Sequence, residues 1–475
     1  LRGAIKFVDA DHRQQTPTDL NNFGPRIGFA YNVTNKTVIR AAYGIFYMPS
    51  ALQAAGHSGS AGMLGYNSQS NMIVSVDSNR TPANYLSNPF PNGFNLPVGN
   101  SLGDSTFLGV NVGGGNGGVF IDYHTPYVQQ WNFNIQRELP GNIVAEVAYI
   151  GSKGTRLLAG ESGVTLSQLP DSYLSLGSAL RDQVANPFYG IITNPSSPLS
   201  QRTVERRQLL RAYPQYDGVT GFRIPYGSSI YHGMTLRADK RFSKGTSLLA
   251  AYTWNRLIDN VSTTVGFLGQ AGTWQNANDS RQERSIGSQD IAHRFVAGFV
   301  WDLPVGKGQM FGKTLPKTVN WFAGGWQFNG IATFQSGTPL IISQSQNNVN
   351  LYNPGQRPTW NGQDASLSGG STDQRLQRWF DTTAYSVTPA YTWGSTPRVT
   401  SLRADGTKNF DLSFFKNNYF RESKWNAQFR VEMFNALNRT QFAAPNTQVD
   451  SGNFGTVTGT ANGPRQIQMA LKLMF

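Results

Sequence analysis

The chain has 475 residues, enough for two or three soluble domains or for one large barrel. Only 14% of them are charged, against roughly 25% in an ordinary globular protein, and the 51 glycines and 29 phenylalanines favour β-structure over charged helices. The net charge of +13 is the excess of 40 lysines and arginines over 27 aspartates and glutamates, and the basic residues are scattered, which argues against a nucleic-acid partner. The absence of cysteine excludes disulfides and thiol chemistry. No run of about 18 apolar residues is present, which excludes a membrane-spanning helix.

Apolar and polar residues alternate in short runs along the whole chain, the pattern of strands with one apolar face. In chain order, the apolar positions are Ile27, Phe29, Tyr31 and Val33; Ile39, Ala41, Tyr43, Ile45 and Tyr47; Trp131, Phe133 and Ile135; Ile143, Ala145, Val147 and Tyr149; Ile230, Met234, Leu236 and Ala238; Leu248, Ala250, Tyr252 and Trp254; Phe295, Ala297, Phe299, Trp301 and Leu303; Trp326, Phe328, Ala332 and Phe334; Phe410, Leu412 and Phe414; Trp425, Ala427, Phe429, Val431 and Met433; and Ile467, Met469, Leu471, Leu473 and Phe475. Charges on these faces are confined to strand ends, at Arg137 and Lys240. Eleven strands are therefore predicted, each about as long as a tilted strand that crosses a bilayer.

The connections between these strands alternate between short and long. Short connections fall at 34–36, 139–142, 243–245, 304–323 and about 416–424, and long ones at about 48–126, 152–228, 256–290, 337–408 and 436–464. Because strands of a meander alternate in direction, every short connection lies at one end and every long one at the other. Outer-membrane barrels have short periplasmic turns and long extracellular loops. The sequence thus predicts an all-β, transmembrane, antiparallel meander barrel, located in the outer membrane of a Gram-negative-type bacterium.

The strand count predicts that this barrel is incomplete. Bacterial single-chain barrels have even numbers of strands, and eleven is odd. The stretch "GAIKFV" at 3–8 leaves open a twelfth strand and a small closed barrel. The chain starts at Leu1 without a signal peptide, so we expect it to be an internal or C-terminal piece of a longer protein.

Three stretches carry a resemblance to a known family: "NNFGPRIGFAYNVTNKTVIRAAYGIFY", "QQWNFNIQRELPGNIVAEVAYIGSKGTRL" and "FRVEMFNALNRTQF". They resemble the C-terminal barrel of TonB-dependent outer-membrane receptors, with the closest likeness in the Oar-like branch, which has an N-terminal carboxypeptidase-regulatory-like domain. The resemblance runs over essentially the whole chain. It implies a 22-stranded barrel with a plug in its lumen, of which residues 1–475 would be the second half, with the plug and N-terminal domains missing.

The same resemblance implies uptake of a bulky, scarce ligand of the siderophore, oligosaccharide or peptide class. The inner-membrane TonB complex would drive that uptake through the missing N-terminal part. Two other functions stay open: a surface structural or adhesion barrel, and a passive porin. Outer-membrane lipid and the barrel-assembly machinery are the further partners expected.

No motif in the chain indicates an enzyme, a cofactor or a metal site. "GGGNGG" at 113–118 satisfies the glycine spacing of a dinucleotide-binding loop, but another strand follows it where a helix is required. "GKGQMFGKT" at 306–314 misses the phosphate-loop spacing and fits a basic periplasmic connection better. The five histidines show no zinc-binding spacing, and His232 and His293 fit an interfacial ring on the apolar faces.

Aromatic and arginine side chains in the long loops are the candidate ligand contacts. Flat rings bind sugars, peptides or aromatic chelates by stacking, and arginines clamp acidic groups. Packing between loops is the structural alternative for the same residues. The candidates are Trp274, Trp360, Trp379, Trp393, Arg206, Arg207 and Arg211.

The closing stretch "GPRQIQMALKLMF" predicts a last strand with one apolar face that ends in a phenylalanine. It resembles the signal by which outer-membrane barrels are recognised for insertion. The residues expected to form this assembly signal are Ile467, Met469, Leu471, Leu473 and Phe475.

Overall fold

A computed structural model describes residues 3–7, 9–11, 13, 18–48, 65–66, 68, 70–77, 80–112, 124–159, 164–221, 224–261, 274–348, 356–420 and 425–475. Its main feature is one antiparallel sheet in which each strand pairs with the next in the chain. The strands, labelled β1 to β11, are Arg26–Thr34, Thr37–Tyr47, Tyr127–Leu139, Ile143–Ala159, Ile224–Ser243, Thr246–Asp259, His293–Asp302, Trp326–Gln335, Thr407–Phe420, Trp425–Phe434 and Gln466–Met474. A two-residue strand, Ser285–Ile286, pairs with the end of β6. The predicted eleven-strand meander is confirmed.

The two edges of the sheet are unpaired among the described residues. β1 pairs only with β2, and β11 pairs only with β10. The possible twelfth strand at 3–8 is wrong for its described part, because residues 3–7 adopt no strand. The eleven strands therefore form an open sheet within the part of the chain that the structure describes.

The strands next to the second long connection reach further than the alternation predicted. β4 continues to Ala159 and β5 begins at Ile224, where the sequence placed a loop at 152–228. Residues in these extensions are mostly small or polar, so they carry no apolar period. Their backbones nevertheless pair as far as Ile224 and Ala159, with register shifts on either side of Gly227.

The short connections lie at one end of the sheet, the short-turn end, and the long ones at the other, the long-loop end. In the turn between β5 and β6, Lys244 and Gly245 both have positive φ angles, 50° and 74°. That conformation matches the twist of a two-residue hairpin and suits glycine. The connection between β7 and β8 is longer and contains the helix Lys317–Ala323.

One face of the sheet is apolar, and neighbouring strands align their apolar residues in rows. Phe328 stacks on Phe414 with 4.7 Å between ring centroids and meets Phe299 edge-on at 5.1 Å. The apolar residues of β11 are largely exposed, for example Met469 at 68% and Leu471 at 69%. Exposed apolar rows of this kind are suited to contact with lipid.

Tyrosine–histidine pairs occupy the apolar face near the long-loop end. The Tyr149 hydroxyl lies 2.7 Å from Nδ1 of His232, and the Tyr252 hydroxyl lies 2.8 Å from Nδ1 of His293. Both pairs of rings are stacked. Amphipathic rings of this kind concentrate where a membrane surface meets water.

The long connections fold into short elements of their own. The short strands are Asn111–Val112, Val164–Thr165 and Gly218–Gly221 in one group, Gln183–Ala185 with Thr203–Glu205, and Thr359–Trp360 with Tyr385–Ser386. The helices are Arg206–Leu209 and Thr372–Gln377, with 3-10 turns at Gly103–Ser105, Asp171–Arg181, Pro198–Ser200, Ser280–Glu283 and Thr382–Ala384. Among the described residues, no helix has the length and apolar character to cross a membrane.

Candidate functional site at the long-loop end

The long connections pack against one another at the long-loop end of the sheet. The largest apolar cluster combines residues of the 336–406 connection, with Ile342 and Phe380 almost fully buried and Leu340, Tyr385 and Leu402 beside them. Val449 and Phe454 of the 435–465 connection pack on the same cluster. The buried core of this molecule thus lies in its loops, and we call these packed connections the loop layer.

Buried ion pairs join the loop layer to the sheet. Nη1 of Arg357 donates to Oε2 of Glu283 at 2.7 Å, and Glu283 is fully buried. Arg398, also fully buried, donates to the Asp259 carboxylate at the end of β6 and to the backbone oxygen of Glu283 at 3.0 Å. Burial lowers the pKa of Arg357, although the carboxylate of Glu283 opposes that shift.

A neighbouring arginine, Arg403, makes a second link of the same kind. Its guanidinium contacts the Asp290 carboxylate, which is fully buried, and donates to the backbone oxygen of Gly337 at 3.0 Å. Oδ1 of Asp290 accepts a hydrogen bond of 2.7 Å from the backbone N–H of Leu257 in β6. These bonds fix the 260–292 and 336–406 connections onto the rim of the sheet.

A third link joins the last two long connections. The Asp450 carboxylate accepts hydrogen bonds from the backbone N–H of Ser345 at 2.9 Å and from its hydroxyl at 2.6 Å. Burial raises the pKa of Asp450, but these bonds and one from Gln346 outweigh burial and leave the pKa below its ordinary value.

Two of the predicted ligand contacts lie inside the loop layer. Trp274 is 8% exposed, and its indole N–H donates to the backbone oxygen of Asn260 at 2.6 Å. Arg211 is 5% exposed and donates to the backbone oxygen and the hydroxyl of Ser167, at 2.7 and 2.6 Å, and to the Gln208 side chain. Both side chains stabilise the local fold of the loops.

The other predicted contacts are closer to the surface and lie apart from one another. Arg206 pairs with Asp182 at 3.3 Å, and Arg207 pairs with Glu205 at 2.5 Å. The remaining three are half-buried tryptophans. Trp360 and Trp379 pack on the apolar cluster around Phe380, and Trp393 packs on a separate cluster around Leu180.

A polar cleft of about 400 Å³ lies at the long-loop ends of β9, β10 and β11. It is lined by Asn409, Asp411, Asn435, Arg439 and Asn462, among others. Asp411 accepts a hydrogen bond of 2.9 Å from the backbone N–H of Asn435, which fixes one wall of the cleft. Side chains of both charges and several amides give the cleft the means to bind hydrogen-bonding groups.

The remaining motifs have no catalytic geometry in the described residues. "GGGNGG" at 113–118 lies outside them. The stretch at 306–314 forms a compact loop in which the N–H of Gly306 donates to the backbone oxygen of Phe311 at 2.8 Å and the N–H of Phe311 donates to that of Pro304 at 2.9 Å. The amide oxygen of Asn320 accepts from the N–H of Lys307 at 2.6 Å. Among described side chains, no three histidine or acidic groups gather in a way that could hold a metal ion.

The buried ion pairs were not predictable from the sequence. Arg357 lies 74 residues from Glu283, and Arg398 lies 139 residues from Asp259, and no period marks either arginine. The only available signal was a charged residue next to prolines and glycines, as in "GQRPTW" and "GSTPRVT", and that signal is common on exposed loops.

Residues 2–468 match the family model described as outer membrane beta barrel domain. The chain therefore belongs to this outer-membrane barrel family, and it is located in the outer membrane of a Gram-negative-type bacterium. The long-loop end is accordingly the extracellular end and the short-turn end the periplasmic one. No curated protein sequence matches the chain.

Solved structures of outer-membrane proteins are similar to the chain over most of its length. The transporter YddB from Escherichia coli is 8% identical, with a TM-score of 0.42 over 95% of this chain and 40% of that one. The ferric-catecholate import receptor Fiu from E. coli K12 is 10% identical, with a TM-score of 0.37 over 94% and 34%. The iron transporter FrpB from Neisseria meningitidis is 9% identical, with a TM-score of 0.36 over 95% and 39%. The chain thus spans about two fifths or less of these proteins.

Proposed function

We propose that this chain is the C-terminal barrel portion of a TonB-dependent receptor that takes up a bulky, scarce ligand of the siderophore, oligosaccharide or peptide class. The observation that carries the proposal is the sorting of connections along an eleven-stranded meander, with the long connections at the extracellular end and their described parts packed into the loop layer. Such a layer offers a ligand a preformed surface, which lowers the ordering cost of binding.

The proposal extends to the rest of the protein. Residues 1–475 would supply the second half of a 22-stranded barrel, and the preceding segments would supply the first half, the plug and the contact with the TonB complex. This part of the proposal rests on the sequence resemblance. The unpaired edges of β1 and β11 support it, because exposed strand edges cannot persist in lipid.

Four of the predicted ligand contacts keep that role in the proposal: Trp360, Trp393, Arg206 and Arg207. Each is partly exposed in the loop layer. Trp379 is not among them, because Arg375 covers its ring and its indole N–H donates to the backbone oxygen of Arg403 at 2.8 Å. Trp274 and Arg211 are assigned to loop folding instead, because both are buried and hydrogen-bonded within the layer.

Uptake by cells tests the function directly. Cells with and without the full-length gene would be given panels of labelled ferric siderophores, oligosaccharides and peptides, with and without a protonophore. We expect one class to enter only when the gene is present, and this entry to stop with the protonophore. Entry that survives the protonophore would indicate a passive porin. No entry of any probe, with reduced attachment of cells to surfaces after deletion, would indicate an adhesion protein.

Alanine substitutions then test the ligand contacts. Trp360→Ala and Arg206→Ala are expected to raise the half-saturating ligand concentration several-fold without lowering the amount of protein at the cell surface. Arg211→Ala is the matched comparison, and we expect it to lower the surface amount instead. An unchanged half-saturating concentration in the alanine variants of all four candidates would remove these residues from the proposed site.

A further inference from the structure

A cavity of about 640 Å³ opens on the lipid-facing side of the sheet, at the extracellular ends of β6 to β9. Its floor consists of Tyr252, His293, Phe295 and Phe334, which lie on the apolar face. The 336–406 connection extends over this floor and supplies the opposite wall. The cavity therefore faces the membrane rather than the lumen, and it lies well inside the sheet, away from both unpaired edges.

The wall of the cavity brings aromatic and cationic groups to this floor. Trp379 lines the wall, and the guanidinium of Arg375 lies over its ring, 4.8 Å from the centroid. Lys408, the second residue of β9, is opposite Phe334 in the register and lies on the apolar face. Both cations are exposed, and neither forms an ion pair with a described residue.

The other charged groups of the cavity are already engaged. Arg403 contacts the Asp290 carboxylate, and the Asp405 carboxylate accepts a hydrogen bond of 3.0 Å from the backbone N–H of Phe442. Asp405 keeps its negative charge, and the lining sets that anion against the cations Arg375, Arg403 and Lys408. Arg375 and Lys408 are therefore the cations left for a ligand. Two cations above an apolar floor match a molecule that has both a negatively charged head and a hydrocarbon tail.

The lipid-facing rows of the whole sheet show the same charge preference. Along the regularly paired parts of the described strands, the charged residues on these rows are all cations: Lys153, Arg256 and Lys408 at the extracellular ends, and Arg137, Lys240 and Lys416 at the periplasmic ends. Lys408 and Lys416 lie on one strand, roughly 26 Å apart along it at about 3.3 Å per residue. At the 35–45° tilt of barrel strands this is about 20 Å of height, slightly less than the roughly 25 Å of an apolar barrel band, and long lysine side chains extend outward toward the interfaces. The Lys408 ammonium group is thus within reach of the lipid headgroups in the outer leaflet.

We propose that this cavity is a binding site for a phosphorylated, acylated glycolipid of the outer leaflet. An acyl chain lies along Phe295 and Phe334, and a headgroup phosphate accepts charge-assisted hydrogen bonds from Arg375 and Lys408. The stacked Tyr252–His293 pair lines the boundary between chain and headgroup. The site requires only the outer-membrane location and is independent of the proposed uptake function.

Binding to the purified full-length protein in detergent tests the site, with bis-phosphorylated lipid A as the probe. We expect the double substitution Arg375→Gln with Lys408→Gln to weaken binding on the order of tenfold or more. Lys408→Arg is expected to keep most of the affinity. The matched control, Arg378→Gln, removes an exposed arginine that pairs with Asp381 outside the cavity lining and should leave binding unchanged. Heat-modifiable mobility of every variant establishes that the barrel has folded.

Two further probes distinguish the contribution of the phosphates from that of the sugar. Lipid A without its phosphates should bind weakly to the unsubstituted protein. Its affinity should equal that of phosphorylated lipid A for the double variant. Phosphatidylglycerol supplies a phosphate and acyl chains without the sugar, and it should bind more weakly than lipid A. Equal affinity of the double variant and the unsubstituted protein, or equal binding of phosphatidylglycerol and lipid A, would overturn the proposal.

Discussion

Among single residues, the buried arginines of the loop layer do most to hold the long connections on the rim of the sheet. Arg398 has no exposed side-chain surface, yet its guanidinium holds both the end of β6 and the backbone of the 260–292 connection. A buried cation is stable only with its partners, because removal of one partner leaves an uncompensated charge. The position of each loop on the rim therefore depends on a few side chains.

Substitution of Arg398 by glutamine should loosen the loop layer without unfolding the sheet. Breaking a buried pair costs about 3–5 kcal/mol, whereas an exposed pair such as Arg378 with Asp381 contributes about 0–1 kcal/mol. We expect Arg398→Gln to increase protease cleavage within 356–406 strongly, and Arg378→Gln to leave it nearly unchanged. Equal cleavage of the two variants would contradict the assigned role of Arg398.

The role of a residue was predictable from the sequence where the apolar alternation of a strand, or the end of that strand, marks its position. Trp301, Trp326 and Trp425 fall near strand ends, and alternation with tight turns suffices to place them. Glu283 and Arg357 form their pair across 74 residues, and no local pattern encodes that contact. The same limit explains why Arg211 suggested a ligand clamp: the sequence shows its charge but not the bonds that already satisfy it.

At the scale of elements, alternation defined the strands and their order, while the structure inside the long connections depended on contacts between loops. The link between the 336–406 and 435–465 connections shows this, since Asp450 reaches the backbone of Ser345 across 105 residues. A carboxylate with a lowered pKa in the folded protein stabilises the fold above its unfolded pKa of about 3.9, and this contribution is lost as the pH falls through the folded value.

We therefore expect the Asp450 link to be intact at neutral pH and to open in acid. A fluorophore attached at Gln346→Cys should report the same environment from pH 7 down to about pH 5 and become mobile below the ordinary aspartate range. In Asp450→Asn the fluorophore should be mobile at every pH. A pH-dependent change of the same size in Asp450→Asn would show that another group controls the link.

The last strand is proposed as the assembly signal, through Ile467, Met469, Leu471, Leu473 and Phe475. The Phe475 ring is 91% exposed and lies 5.4 Å from the ring of Trp425, at the periplasmic end of the sheet. Phe475→Ser should reduce the amount of full-length protein in the outer membrane several-fold, whereas Phe475→Tyr should preserve it. Quantitative immunoblots of outer-membrane fractions measure the difference. Wild-type levels of Phe475→Ser would remove Phe475 from the signal.

At the scale of the whole molecule, the open sheet has one consequence for folding. β1 and β11 present unpaired backbone groups, which lipid cannot satisfy. Residues 1–475 produced alone should therefore fail to give a heat-modifiable, inserted barrel, and the full-length protein should succeed. A heat-modifiable band from residues 1–475 would show that the two edges pair with each other in a small closed barrel.

The orientation of the sheet places the long connections outside the cell and the short turns in the periplasm. Residues 1–475 contain no cysteine, so a single cysteine introduced into this part of the full-length protein is the only one there. The positions are Lys36 and Gln309 on the short-turn end, and Gln363 and Ser368 in the 336–406 connection. The unsubstituted protein reports any background labelling.

The measurement is labelling of intact and permeabilised cells with a membrane-impermeant maleimide. The orientation predicts that Gln363→Cys and Ser368→Cys react in intact cells, and that Lys36→Cys and Gln309→Cys react only after permeabilisation. Labelling of the short-turn positions in intact cells, with protection of the loop positions, would contradict it.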